Sequence, residues 1–146
     1  SLLLSNKKEV KNIIKNLGSQ AVVASVDYQC INNEFYICED FGKKITNIKL
    51  RDFLIEIQDL GVGEVFLQNV KNDGSAKGFD TQIEKEISIL TIPTILCSGA
   101  GNEEHFVDAS CVKNLSALAA GNYFNFKELS YPNVKKKLTK SNIFVR

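Results

Sequence analysis

Residues 92–101 read Ile92-Pro93-Thr94-Ile95-Leu96-Cys97-Ser98-Gly99-Ala100-Gly101. The apolar run 92–97 is too short for a typical helix and fits a strand buried on both faces. The small residues after it let a backbone come close to a ligand or a neighbouring loop. A helix is predicted over 103–112. The same unit recurs downstream, where 115–120 (Leu-Ser-Ala-Leu-Ala-Ala) reads as a strand running into Gly121-Asn122. Upstream, Glu64–Val70 reads as a strand, Lys71–Asp80 as a loop, and 81–90 as a helix with Ile83, Ile87 and Leu90 in register. Further back, 21–26 (Ala-Val-Val-Ala-Ser-Val) is a strand ending at Asp27. A helix precedes it over 7–17, burying Val10, Ile13, Ile14 and Leu17 and stopped by Gly18. After it come a hairpin over Cys30–Ile37, turning at Asn32-Asn33, and a helix over 49–60 closed by Gly61. A helical turn near 125–129 and a last helix from about Pro132 complete the chain.

Four strand-then-helix units in a row imply a parallel sheet with helices packed outside it. The candidates are a doubly wound sheet and a (β/α)8, or TIM, barrel. No G-x-G-x-x-G follows the first strand, which argues against dinucleotide binding. Small-residue loops after the last two strands favour the barrel, where such loops commonly hold phosphate. A closed barrel takes about 250 residues, and this chain has 146. The reading is therefore a half-barrel, four parallel strands with outer helices, that needs a second half, covalent or not. A sequence with no Met that opens Ser1-Leu2-Leu3-Leu4 reads the same way, as a piece of something longer.

Composition narrows the function. Lys+Arg 18 against Asp+Glu 17 leaves a net charge of +1, which gives no electrostatic footprint for nucleic acid. No apolar run approaches the roughly 20 residues of a membrane span, and no signal peptide is visible. Cys30, Cys38, Cys97 and Cys111 form no C-x-x-C pair, so neither a structural zinc site nor a disulfide framework is expected, and free thiols in a reducing cytoplasm are. The one histidine, His105, would have to serve any His-dependent triad, and it reads better as a surface or helix-side residue.

The chemistry-bearing residues gather at strand ends. Asp27 closes the first strand at the end that forms the working face of a parallel α/β fold, where apolar surroundings suit a general acid or base. It could equally cap a loop. Asp73, Gly74 and Ser75 follow the second strand and offer a carboxylate, backbone N–H groups and a hydroxyl, although Asp-Gly is also a common turn. Gly99, and Ala120 with Gly121 and Asn122, follow the last two strands. Each loop leads into a helical segment whose N-terminal N–H groups favour phosphate, and tight packing is the alternative for either loop alone. Glu64 opens its strand at the opposite end. It reads as a salt-bridge partner closing a barrel floor or as a polar gate to an inner channel.

In order, GSQAVVASVD, GVGEVFL, NDGSAKGFD, IPTILCSGAG, EEHF and ALAAGNYFNF resemble the cyclase subunit of imidazole glycerol phosphate synthase, over nearly the whole chain and against the C-terminal half of that barrel. The resemblance implies a barrel binding a ligand with two phosphates and receiving ammonia through its interior from a glutaminase docked on the bottom face. Acid–base catalysis by two aspartates then splits the substrate and closes an imidazole ring. Asp27 matches the second catalytic aspartate; the first belongs to strand one, which this chain lacks. Asp73, Gly74 and Ser75 match an Asp-Gly-Thr segment lining the site and one phosphate. Gly99 and Ala120 match phosphate-binding positions, with Gly121 or Asn122 in place of a serine. Glu64 matches a residue gating ammonia, and Ser1 matches the end of strand four. No cofactor or metal is implied.

The departures are Cys97-Ser98-Gly99-Ala100-Gly101 for Ser-Gly-Gly-Ala-Gly, Lys71-Asn72-Asp73-Gly74-Ser75 for acidic-basic-Asp-Gly-Thr, and an eighth-strand loop one residue longer. Such changes resemble paralogues acting in amidation of bacterial surface sugars. Three expectations stand: an ammonia-using cyclase or lyase of histidine biosynthesis, a paralogue supplying ammonia to sugar amidation, and a non-catalytic phosphate-binding half-barrel that pairs with an N-terminal half or a second copy.

Overall fold

A computed structural model describes residues 2–145, so Ser1, matched above to a strand end, lies outside the described residues. The elements in order are α1 (Leu2–Ser5), α2 (Lys7–Leu17), β1 (Val23–Ile31), β2 (Glu34–Glu39), β3 (Lys44–Lys49), α3 (Leu50–Leu60), β4 (Glu64–Asn69), α4 (Glu84–Ile87), β5 (Thr94–Cys97), α5 (Glu103–Ser110), β6 (Ala117–Ala119), α6 (Asn122–Phe126) and α7 (Ser130–Lys140). They form one six-stranded sheet ordered β3-β2-β1-β4-β5-β6. The pairs β1–β4, β4–β5 and β5–β6 are parallel. This is the expected four-stranded parallel sheet of a partial TIM barrel, with helices on one side.

Three sequence expectations need correction. The strand read over 21–26 and ended at Asp27 is β1, which runs through Asp27 to Ile31 because its far end pairs with β2 in the hairpin. The helix expected over 81–90 is a 3-10 turn (Thr81–Ile83) followed by the single turn of α4, although Ile83, Ile87 and Leu90 are all buried as the periodicity requires. The turn placed near 125–129 begins earlier, at Asn122, directly after the last small-residue loop. Beyond these, β3 falls in a stretch between the hairpin and the helix at 49–60 where no element is expected. It pairs only with β2, at the sheet margin, and five of its six residues are exposed or nearly so, leaving no apolar alternation to see.

The hairpin is local chemistry. Asn32 and Asn33 both take left-handed φ, 51° and 62°, as a two-residue type I′ turn demands, and asparagine tolerates that region. β2 pairs with β1 from Ile31 back only to Tyr28. Below Tyr28, therefore, Val23–Asp27 has β4 on one side and, among the described residues, no strand on the other.

Strand alternation sorts residues between two faces. Ala24, Val26 and Tyr28 of β1, Val65 and Leu67 of β4, and Thr94 and Leu96 of β5 are buried against the helices, joined by Phe53, Leu54 and Ile57 of α3 and Phe106 of α5. The other face carries, in register, Ser25, Phe66, Ile95 and Ala117, and one layer higher Asp27, Gln68, Cys97 and Ala119. Among the described residues nothing of comparable size covers that face: Val23 is 50% exposed. No helix among the described residues is long and apolar enough to cross a membrane.

Candidate functional site

The C-terminal ends of the parallel strands build the site. Buried Asn69 organises its first wall. Its Oδ1 accepts from the N–H groups of Lys71 (3.1 Å) and Asn72 (3.3 Å), and its Nδ2 donates to Asp80 Oδ2 at 2.8 Å. One side chain thereby pins both ends of the loop that carries Asp73, Gly74 and Ser75. Burial lifts the Asp80 carboxyl above its usual range, and the Asn69 hydrogen bond opposes that shift.

The second wall is the loop 98–101, pressed backbone to backbone on the first. Gly78 N–H donates to Gly99 O at 2.7 Å. Gly99 has φ 94°, and a Cβ there would stand 2.1 Å from Gly78 O. A Cβ on Gly101 would stand 2.5 Å from Ala76 O. These two glycines are required by loop-on-loop packing whatever else they do. His105 locks the arrangement: its Nδ1 accepts from Gly101 N–H at 3.1 Å. The helix-side reading of His105 therefore holds, with a structural task added.

The third wall is Ala120, Gly121 and Asn122. Gly121 is different from Gly99, because it has negative φ and open space where a Cβ would go. Asp73, Gly74, Ser98, Gly99, Ala120, Gly121 and Asn122 line one cleft of about 250 Å³, together with Tyr123, Phe126 and Lys127. Among the described residues, the backbone N–H groups of Gly99, Ala100 and Gly121 donate to no carbonyl. Phe106, ringed by Phe79 (5.2 Å), Tyr123 and Phe124 (both 5.4 Å), backs this corner.

Only one of the two loops leads into an open helix start. Asn102 Oδ1 caps α5 by accepting from His105 N–H at 3.1 Å, and Glu103 and Glu104 fill its first turn, an arrangement that repels an anion. α6 begins after Gly121 without a side-chain cap.

Asp27 and Ser75 lie outside that cleft. Asp27 lines a neighbouring one of about 300 Å³, with Ser25, Cys38, Asp40 and Phe41. Gln68 sits beside Asp27 in register and its Nε2 reaches toward Asp73 Oδ2 at 3.5 Å, so the two carboxylates flank a shared amide. Burial raises the Asp27 carboxyl above its ordinary value. Ser75 Oγ accepts from Lys77 N–H at 3.3 Å and stabilises its own loop. Glu64 is far off, at the N-terminal end of β4, half-buried beside Val23 in register. Among the described residues it has no ion-pair partner, so the salt bridge considered for it is absent there.

Sequence reading missed Ser98 and Lys127. Lys127 follows α6 in extended backbone, and no sequence spacing marks it as a neighbour of Tyr123. Its Nζ is 2.8 Å from Glu103 Oε1, 3.3 Å from Tyr123 Oη and 5.0 Å from the Tyr123 ring centroid. Lys127 and Tyr123 together hold the Glu103 carboxyl down at about 2. The four cysteines are free, and burial pushes the Cys97 and Cys38 thiols up. Among the described residues no cluster of His, Cys, Asp and Glu could hold a metal ion.

Comparison with known proteins agrees with this layout. The family model for histidine biosynthesis proteins matches residues 1–130. Among curated proteins, the chain is 36% identical over 144 residues to imidazole glycerol phosphate synthase subunit HisF of Thermotoga sp. strain RQ2, covering 98% of this chain and 56% of that protein. It is 31% identical over 147 residues to the protein of the same name from Flavobacterium johnsoniae, covering 100% and 59%. The chain thus spans less than two thirds of the length of these curated relatives. The family match covers the whole sheet and the whole cleft, and on it this chain belongs to the histidine biosynthesis protein family.

Proposed function

We propose that this chain is the C-terminal half of an ammonia-using cyclase barrel of the imidazole glycerol phosphate synthase type. The observation that carries this reading is the convergence of Gly74, Gly99, Ala120, Gly121 and Asn122 in one cleft at the strand ends, one strand away from an acid lifted by burial. The cleft would take one phosphate of a phosphorylated substrate on the free N–H groups of Gly99 and Gly121. Asp27 would exchange protons with the substrate, since a raised carboxyl pKa suits acid–base work nearer neutrality. Asp73, which Gln68 reaches from the strand position beside Asp27, would orient the substrate.

The open sheet face and the unpaired stretch of β1 fit completion by an N-terminal half or by a second copy. Glu64 at the opposite sheet end would face the entry of ammonia from a glutaminase subunit. The deciding experiment is Asp27→Asn in the complete protein with ammonia and substrate. Turnover should fall by about 100-fold or more while substrate binding is kept. Unchanged turnover would remove Asp27 from catalysis.

A second reading, ammonia supply for amidation of a surface sugar, is favoured by one observation: Ser98 stands in the cleft where the resembling family has glycine. Failure to turn over the histidine-pathway substrate, with a glutaminase partner still activated, would select it.

A further inference from the structure

Ser98 and Lys127 line the cleft but have no part in the phosphate reading above. Ser98 is almost fully buried, and among the described residues its Oγ has no hydrogen-bond partner. Its hydroxyl partly offsets the upward push of burial on the neighbouring Cys97 thiol, a weak sulfur acceptor. Ser98 also holds φ 89°, in the left-handed region that glycine occupies without strain. A serine here incurs two costs, backbone strain and an orphaned hydroxyl, that glycine would not. Retained costs of this kind point to a ligand. Lys127 is the second. Among the described residues lining the cleft only Asp73 and Lys127 are charged, so Lys127 is the one cation among them. At present Glu103 takes that charge from outside the cleft.

We propose that Ser98 and Lys127 are the side chains that hold the ligand's phosphate in this cleft, Lys127 leaving Glu103 as the phosphate arrives. The proposal rests on the phosphate reading given above and adds its specificity. Backbone N–H groups alone would have to bind a dianion beside Asp73, whose charge opposes them. The Lys127 ammonium offsets that charge. Its bond to Glu103 is solvent-screened at both ends, 46% and 27% exposed, so giving it up costs little. A phosphate offers a stronger, charge-assisted partner. The Tyr123 ring under the ammonium keeps it at the cleft mouth during the exchange. Rotation of Ser98 about its Cα–Cβ bond lets the hydroxyl donate to a phosphate oxygen and ends its isolation.

The test is calorimetric titration of the full chain with inorganic phosphate and with glycerol 3-phosphate, with melting temperatures taken alongside. Lys127→Ala should weaken binding about 10-fold, and Lys127→Arg should keep it. Glu103→Gln should tighten binding, because the lysine is no longer held outside. Ser98→Gly should raise the melting temperature yet weaken binding, a split that a packing role would not produce. If the wild type binds phosphate and Lys127→Ala and Ser98→Gly bind as well as it does, the proposal fails while the phosphate reading stands. Weaker binding by Glu103→Gln would overturn the exchange. A wild type that binds neither compound removes the phosphate reading and this proposal together.

Discussion

The two faces of the parallel sheet come from the same short apolar runs and have opposite fates. On the helix side, Val65, Leu67 and Leu96 are fully buried. On the other side, Phe66 and Ile95 are only half-covered and Ser25 and Ala117 are exposed. Both sets alternate along single strands, so the difference is not one of hydrophobicity. It is one of partners: α3, α5 and the short α4 turn cover one face, and no element among the described residues covers the other. A continuous apolar strand is the pattern of a sheet covered twice, and this chain supplies only one cover.

The largest expected effect tests that contrast directly. Leu67→Ala should cost about 2–5 kcal/mol of stability in this chain, and Phe66→Ala, one residue away, less than half of that. Denaturant unfolding of both variants checks it. If Phe66→Ala costs as much as Leu67→Ala, the open face is covered in solution, and a concentration-dependent midpoint would identify a second copy as the cover.

The rim repeats the contrast on a smaller scale. Gly99 is fixed by packing and φ, and Gly121 by neither. Gly99→Ala should therefore cost about 1–3 kcal/mol, while Gly121→Ala should stay within about 0.5 kcal/mol. Thermal melts of the two variants distinguish them, and equal losses would mean that Gly121 is held by more than the loop packing described.

The smallest effect concerns Asp27. Its folded pKa is raised by burial, so the native state binds its proton more tightly than the unfolded chain does. Stability on this account is greatest below the ordinary aspartate pKa and declines as pH rises through the raised one. Asp27→Asn should consequently raise the melting temperature by no more than about 3 °C at pH 7 and leave it unchanged near pH 3. An equal shift at both values would point to altered packing instead.

Much of this was readable from residues. Helical periodicity placed α2 and α3 to within a residue, and Asn32-Asn33 announced the hairpin, because both signals depend on near neighbours in sequence. β3 was not readable, since a solvated marginal strand needs no apolar alternation. Within the site, Gly74, Gly99, Ala120, Gly121 and Asn122 were legible as small residues at strand ends. Ser98 was quoted within its motif, but nothing in a serine's identity says that its φ is 89° or its hydroxyl orphaned. Lys127 was hidden because its importance depends on Glu103 and Tyr123 meeting it.

By itself the sequence determined a parallel α/β sheet, its small-residue loops and the end of the sheet where chemistry gathers. These follow from periodicity, turn chemistry and the requirement that strand ends carry the loops. Only the tertiary structure decided that Asp27 and Asp73 line separate clefts, that Gly99 serves packing while Gly121 is free, and that Lys127 is the cation lining the Asp73 cleft among the described residues. Those facts depend on register between strands and on contact between loops more than twenty residues apart, which no local pattern encodes.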